Sequence, residues 1–247
     1  MKLIENVIAV EPYPVIYIDD LDLMVASDLH LGFEIVSAEH GVFIPRVQFN
    51  RTRKIIEESA KKSGAGRILL LGDVKHEFSE TGYHEYKEVS IMLEYLKRRF
   101  REVILVKGNH DTFIVRMTRK YGIEVYDIYN EKGYTFFHGH KDVNISDVKS
   151  RVLIMGHEHP SISLFTDIGV REKLKVFLYG EWKGKSVVVL PAVSYFAEGS
   201  DVNVLPKEEL ISPLLRKMDI DKFKVVGILE DDRYLELPEV GKLRKYG

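Results

Sequence analysis

The segment Val103-Ile104-Leu105-Val106-Lys107-Gly108-Asn109-His110-Asp111 couples an apolar run to a cluster of polar side chains. Four apolar residues make the short run that fills a buried strand. Lys107 and a glycine close it, and three side chains able to bind a cation or move a proton follow at once. The same arrangement recurs outward in both directions. Leu23–Ala26 leads to Ser27-Asp28-Leu29-His30, and Ile68–Leu71 leads to Gly72-Asp73. Tyr134–Phe137 leads to His138-Gly139-His140, and Val152–Met155 leads to Gly156-His157-Glu158-His159. Five predicted strands thus each deliver Asp, Asn or His at the carboxyl end. In α/β sheets that edge is where ligand sites assemble.

Amphipathic stretches separate these runs. Arg46–Lys62 and His84–Phe100 predict helices, and Thr112–Tyr121 predicts a short one. Beyond residue 160 the chain turns β-rich. Ser161–Phe165, Lys175–Tyr179, Val187–Leu190 and Val225–Glu230 predict strands, with a turn at Trp182-Lys183-Gly184-Lys185. Residues near 195–222 read as a helical or irregular insertion that either caps the site or builds a dimer interface. No linker or repeat divides the chain, so residues 1–247 are expected to form a single domain. An α/β first half followed by a β-rich second half predicts a layered sandwich, two packed sheets covered by helices.

Composition narrows the function classes. Of 247 residues, 45% are hydrophobic and 30% charged, which excludes wholesale disorder and leaves ample material for a core. The formal charge of −2 provides no global basic field for nucleic acid, although a local patch is compatible with it. The absence of Cys excludes disulfides and thiolate metal sites. No run reaches the ~18 apolar residues of a membrane span. An acid at Glu5 comes too early for the apolar core of a signal peptide, so a cytoplasmic location is expected.

Six of the nine His fall in the strand-end segments. Asp, His and Asn without a thiolate suit two divalent metals of intermediate hardness. Asp73, on its short Gly-Asp turn, is the natural bridge between them. Two ions ~3.5–4 Å apart can activate a shared water and clamp a phosphoryl oxygen.

The five segments resemble the signature of the calcineurin-like metallophosphoesterases: Asp-x-His, Gly-Asp, Gly-Asn-His-Asp/Glu, a His before a Gly, then Gly-His-x-His, in that order. The resemblance is firm over residues 28–159. It implies an α/β four-layer metallophosphoesterase sandwich, two packed mixed β-sheets flanked by helices. It implies Asp28, His30, Asp73 and His159 as ligands of a first metal, and Asp73, Asn109, His138 and His157 as ligands of a second. His110 matches the catalytic His, which contacts the phosphate and protonates or stabilises the leaving oxygen. The implied cofactors are two divalent ions, Mn²⁺ foremost, with Fe, Ni, Zn or Mg as alternatives. The wording Asp28-Leu29-His30-Leu31-Gly32 and Gly72-Asp73-Val74-Lys75-His76-Glu77 looks most like archaeal SbcD-related phosphoesterases.

That likeness implies hydrolysis of phosphodiester bonds in nucleic acid or nucleotides by a metal-bridging hydroxide. The alternatives are a small-molecule phosphomonoesterase or nucleotide pyrophosphatase, and a non-catalytic scaffold retaining the fold. The partners implied are a phosphate ester, a second copy of the chain and a DNA-repair protein, with no membrane. Ser/Thr protein phosphatases of this superfamily carry a second Asp and an Arg soon after Gly-Asp. Val74, Lys75 and His76 stand there instead, which disfavours protein dephosphorylation.

Several residues carry two readings. His138 and His140 compete for one ligand position; the resemblance favours His138 and leaves His140 as a residue behind the ligands or a substrate contact. Asp111 joins His110 in the catalytic set by orienting it, or caps the helix expected at Thr112. Asn109 is read as a substrate contact as well as a ligand, His76 as a substrate contact or a surface His, Glu158 as structural, and His40 and His84 as surface or core. Arg46, Arg51, Arg53 and Lys54 are a phosphate-binding cluster or a solvated helix face.

Overall fold

The computed structural model describes residues 1–78, 81–144, 148–165, 171–197, 199–229 and 233–245. One sheet holds β1 (Lys2–Ile4), β2 (Val7–Ala9), β3 (Val15–Ile18), β4 (Leu23–Ala26), β5 (Arg67–Leu71), β6 (Glu102–Val106) and β7 (Glu124–Tyr126), in that order. Pairing is antiparallel from β1 to β4 and parallel from β4 to β7. The second sheet holds β8 (Ile128–Glu131), β9 (Tyr134–Phe137), β10 (Val152–Met155), β11 (Pro160–Phe165), β12 (Arg171–Trp182), β13 (Lys185–Val189), β14 (Ser200–Asp201), β15 (Lys224–Ile228) and β16 (Tyr234–Leu237). Here β9, β10 and β13 run parallel. The helices are α1 (Phe33–Glu39), α2 (Gln48–Ser63), α3 (Tyr83–Arg99), α4 (Ile114–Thr118) and α5 (Val240–Leu243).

The strand period of two sorts the core into layers. In β4, Leu23 and Val25 face the second sheet, while Met24 and Ala26 face the helices. In β6, Ile104 and Val106 face the second sheet, while Val103 and Leu105 face α3 and its neighbours. In β10, Ile154 enters the space between the sheets, and Leu153 and Met155 face outward. The result is the expected mixed α/β sandwich of two packed mixed sheets. The helical flank consists of α2, α3 and α4. The other flank is different: 3₁₀ turns at Lys207–Glu209, Leu215–Lys217 and Ile220–Lys222, with short α5, bury Leu210, Leu214, Met218 and Phe223 on the second sheet. Pro206 and Pro213 help to deny that segment a continuous helix.

Other boundaries also differ from the expectation. β12 spans twelve residues rather than Lys175–Tyr179, because it pairs with β11, β13 and β15 along its length. The strand expected at Val225–Glu230 is Lys224–Ile228, and Glu230 lies outside the described residues, as does Glu198 of the 195–222 segment. The helix expected from Thr112 starts at Ile114 and closes in a 3₁₀ turn at Arg119–Tyr121. Strands β1–β3, of three or four residues, are too short to show a period and are recognisable only by their pairing.

Candidate metal centre

Because β4, β5 and β6 are parallel, their carboxyl ends lie on one edge; β9 and β10 share theirs in the second sheet. Loop-to-loop hydrogen bonds extend the pairing past the strands. Asp28 N donates to Gly72 O at 3.1 Å, His30 N to Asp73 O at 2.9 Å, and Gly156 N to His138 O at 3.0 Å. The turns are sharp. Asp28, His30, Asp73, His157 and His159 all lie in the left-handed region, with φ between 45° and 68°. Asp and His tolerate that region better than most residues, yet such concentration is characteristic of sites where geometry is imposed for function. Gly108 is required for close approach: a Cβ there would collide with the backbone N and carboxylate of Asp73.

Each key side chain uses one atom as an anchor and aims the other inward. Asp28 Oδ2 accepts from Ser27 Oγ at 2.6 Å and His157 N at 3.2 Å, while its buried Oδ1 lacks a hydrogen-bond donor and lies 3.0 Å from His159 Nε2. Asp73 Oδ1 accepts from His110 N at 2.9 Å, and Oδ2 lies 3.2 Å from His138 Nε2 and 3.9 Å from His30 Nε2 and His110 Nε2. His138 Nδ1 is held by Leu71 O at 2.9 Å, which turns Nε2 toward both carboxylates. His110 Nδ1 is held by the His76 carbonyl; that oxygen can only accept, so Nδ1 carries the hydrogen and Nε2 faces the site. Asn109 Oδ1 is buried without a partner, as is His140 Nδ1.

Among the described residues, potential ligand atoms therefore form three close groups: Asp28, His30 and His159; Asp73, His138 and His157; and His30, His76 and His110. Facing Nε2 atoms of His30 and His159 stand 3.5 Å apart, an arrangement a cation between them would reconcile. Burial, with help from neighbouring His, lowers His30 to about 3 and His157 to about 4. Both are neutral at pH 7 with lone pairs available for coordination. His138 is also buried, but Asp28 and Asp73 outweigh burial and push it up to about 9. Asp28 is buried too, yet His159 and His138 hold its carboxyl far below the usual range. Buried carboxylates beside the neutral imidazoles of His30 and His157 fit divalent cations, and no thiolate competes.

Residues 21–221 match the family of calcineurin-like phosphoesterases. The chain belongs to that family. This phosphoesterase is therefore a metal-binding hydrolase acting on phosphate esters. No curated protein matches its sequence significantly. Among solved structures it resembles a nuclease MPE from Pseudomonas putida, at 17% identity and a TM-score of 0.62, over 91% of this chain and 92% of that one. It also resembles Yfce, a phosphoesterase from E. coli, at 20% identity and a TM-score of 0.41, over 87% and 97% of the two chains. At these identities the first likeness is one of fold.

The geometry revises some expectations for individual residues of this phosphoesterase. Asp111 neither touches the His110 ring nor caps α4, whose N-cap is Phe113. Wholly buried, it accepts from Val74 N and Gly108 N at 2.9 Å and from Lys75 N at 3.4 Å, which locks two metal-centre loops together. It is a positioning residue rather than a catalytic one. Glu158 is structural, as expected: its oxygens accept from Ile211 N and Ser212 N, fastening the outer layer behind β10. His76 lies at the centre rather than on the surface, with Nδ1 3.4 Å from His30 Nδ1. His40 and His84 are exposed. Lys75, close behind Asp73, is buried with its amine donating to the Glu77 carbonyl. Arg46, Arg51, Arg53 and Lys54 of the basic cluster are all exposed. Arg51 lies over the Tyr195 ring, Arg53 lies over the Tyr95 ring, and Arg46 interacts with Glu88.

Gln48 has no signal in the sequence. Buried at the start of α2, its Nε2 donates to Leu29 O at 2.6 Å and Ser194 Oγ at 2.7 Å, and its Oε1 accepts from Tyr195 N at 2.8 Å. Segment 193–195 is thereby joined to the Asp28 loop, with Ser194 N donating to Asp28 O at 3.0 Å.

Proposed function

We propose that this phosphoesterase hydrolyses phosphodiester bonds in nucleic acid or nucleotides with two divalent ions, Mn²⁺ foremost. Asp28, His30, Asp73 and His159 hold one ion, and Asp73, Asn109, His138 and His157 hold the other. The observation that carries this reading is the division of labour within Asp28, Asp73 and His138, each anchored through one atom and directed inward through the other. Bound there, two divalent ions supply Lewis acidity, lowering the pKa of water and neutralising phosphoryl charge. Asp73 lies between the two ligand groups and is the residue able to bridge them. His110, anchored at Nδ1 by the His76 carbonyl, presents Nε2 to the phosphate; in its doubly protonated imidazolium form it delivers the Nε2 proton to the leaving oxygen and is left as the neutral Nδ1–H ring. General acid catalysis of this kind contributes about 10²–10⁴-fold. His76, beside His30 and His110, and His140, beside His138 and His157, are the further imidazoles assigned to substrate oxygens. The diester preference draws support from the likeness of Asp28–Gly32 and Gly72–Glu77 to SbcD-related enzymes, and from a neighbour of the same fold that is a nuclease.

The deciding test compares bis(p-nitrophenyl) phosphate with p-nitrophenyl phosphate, using metal-stripped protein with and without Mn²⁺ and His110→Ala as background. Mn²⁺-dependent turnover favouring the diester is expected. A monoester preference would replace the diester reading with a phosphomonoesterase. Full activity in metal-stripped Asp73→Asn protein would overturn the two-metal reading.

A further inference from the structure

Aromatic rings lead out of the metal centre in an unbroken series. The Phe33 ring lies 4.7 Å from the His76 ring, centroid to centroid. Phe196 stacks on Phe33 at 5.1 Å with an interplanar angle of 14°, and Tyr195 meets Phe196 edge-on at 5.1 Å. The Arg51 guanidinium covers Tyr195 at 3.9 Å. On the other flank, Phe78 lies 3.6 Å from the His110 ring. Tyr195 is 53% exposed and Phe78 54% exposed.

Single exposed rings are unremarkable, but a ring series continuous with the side chains around a phosphoryl site is a different matter. The series is also held in place. Phe33 opens α1 three residues after His30, and the Tyr195 backbone is fixed through Gln48 to the Asp28 loop. A wall tied to the metal-centre loop need not be ordered when a ligand arrives. The chemistry it suits is a flat π-system carried a short distance from a phosphodiester. The net charge of −2 also supplies little of the field that duplex binding through phosphates requires.

We propose that Phe33, Phe196 and Tyr195, with Arg51, form a stacking wall for the unpaired nucleobase next to the scissile phosphodiester of a single-stranded nucleic acid. This rests on the phosphodiesterase reading and specifies its substrate class. Sequence-tolerant binding follows, because every base offers a π-face. Arg51 adds a cation over the outermost ring.

The test pairs a decathymidylate with an abasic strand of identical backbone, measuring both kcat/KM with Mn²⁺ and binding by fluorescence anisotropy. The wild-type protein is expected to prefer the base-bearing strand by about 5- to 150-fold, as base stacking on an aromatic ring predicts. The Tyr195→Ala/Phe196→Ala double variant should lose most of that preference. Phe196→Leu, which keeps apolar bulk, should lose part of it and guards against misfolding of the double variant. Equal handling of the two strands by the wild-type protein, or an undiminished preference in the variants, would overturn the wall. A blunt duplex handled as well as the single strand would do the same. Cyclic AMP competing as strongly as the strand would move the assignment from strand to mononucleotide and overturn it as stated. Base-dependent binding without hydrolysis of any diester would remove the phosphodiesterase reading while sustaining the wall.

Discussion

Asp73 carries more of the centre than any other side chain. One oxygen is anchored by the His110 N–H, and the other faces the imidazoles of His30, His110 and His138. Asp73→Asn keeps the shape but substitutes a neutral amide for the carboxylate. It is expected to abolish stoichiometric metal binding, measured by elemental analysis, while the far-UV circular dichroism is retained. Asp111→Ala should behave differently. It leaves Val74, Lys75 and Gly108 N–H groups buried without their acceptor, at a cost on the order of 3 kcal/mol. Urea denaturation should record that loss. Asp111→Asn, which retains an acceptor oxygen, should recover part of it. A stability unchanged in Asp111→Ala would remove the loop-locking role.

At the scale of elements, the centre depends on how closely neighbouring turns approach. The turn after β6 sits against the turn after β5, with room for Gly108 and nothing larger. Gly108→Ala should destabilise by about 1–3 kcal/mol through overpacking. It should also weaken metal binding, since the backbone that yields is Asp73's own; isothermal titration with Mn²⁺ measures this. Lys175 in β12 serves the opposite side of the centre, donating to Ala192 O at 2.9 Å and to Ser194 O. Burial lowers its amine to about 8, against an upward pull from Asp28. Between pH 8 and the ordinary lysine value, the unfolded chain still holds a proton that the folded chain has released. Stability therefore rises with pH across that window. Lys175→Met lacks this contribution, so its deficit should widen from pH 8 to pH 10 in denaturant titrations; a constant gap would refute the assignment.

For the whole molecule, the metal centre joins its two halves. Asp28 and Asp73 come from the first sheet, and His138, His157 and His159 from the second. Ions held by candidate ligands from both sheets would bind the folded protein and not the unfolded chain, and would stabilise the assembly by linkage. At about a hundredfold excess over Kd the gain is about 2.7 kcal/mol. The melting temperature should rise with Mn²⁺ and fall again with chelator, while Asp73→Asn shows little of either effect. A melting temperature indifferent to Mn²⁺ in the wild-type protein would contradict ligation across the sheets.

The five buried strands, the polar residues at their ends and the two-sheet sandwich were legible in the sequence. Each of those signals is local: an apolar run of four residues, a glycine and a ligand-type side chain stand within a few positions of one another. Contacts between segments distant in the chain settled the rest. Asp111 lies beside His110 in the chain, yet its carboxylate reaches the backbone of Val74, 37 positions away. Gln48 stands on an ordinary helix and bonds Ser194, 146 positions on. The ring series from His76 through Phe33 to Phe196 and Tyr195 joins segments that share no motif. Which carboxylate oxygen faces inward depends on donors contributed by other loops. Periodicity and motifs record what a residue needs from its neighbours along the chain; orientation, anchoring and stacking are fixed by partners that only folding brings near.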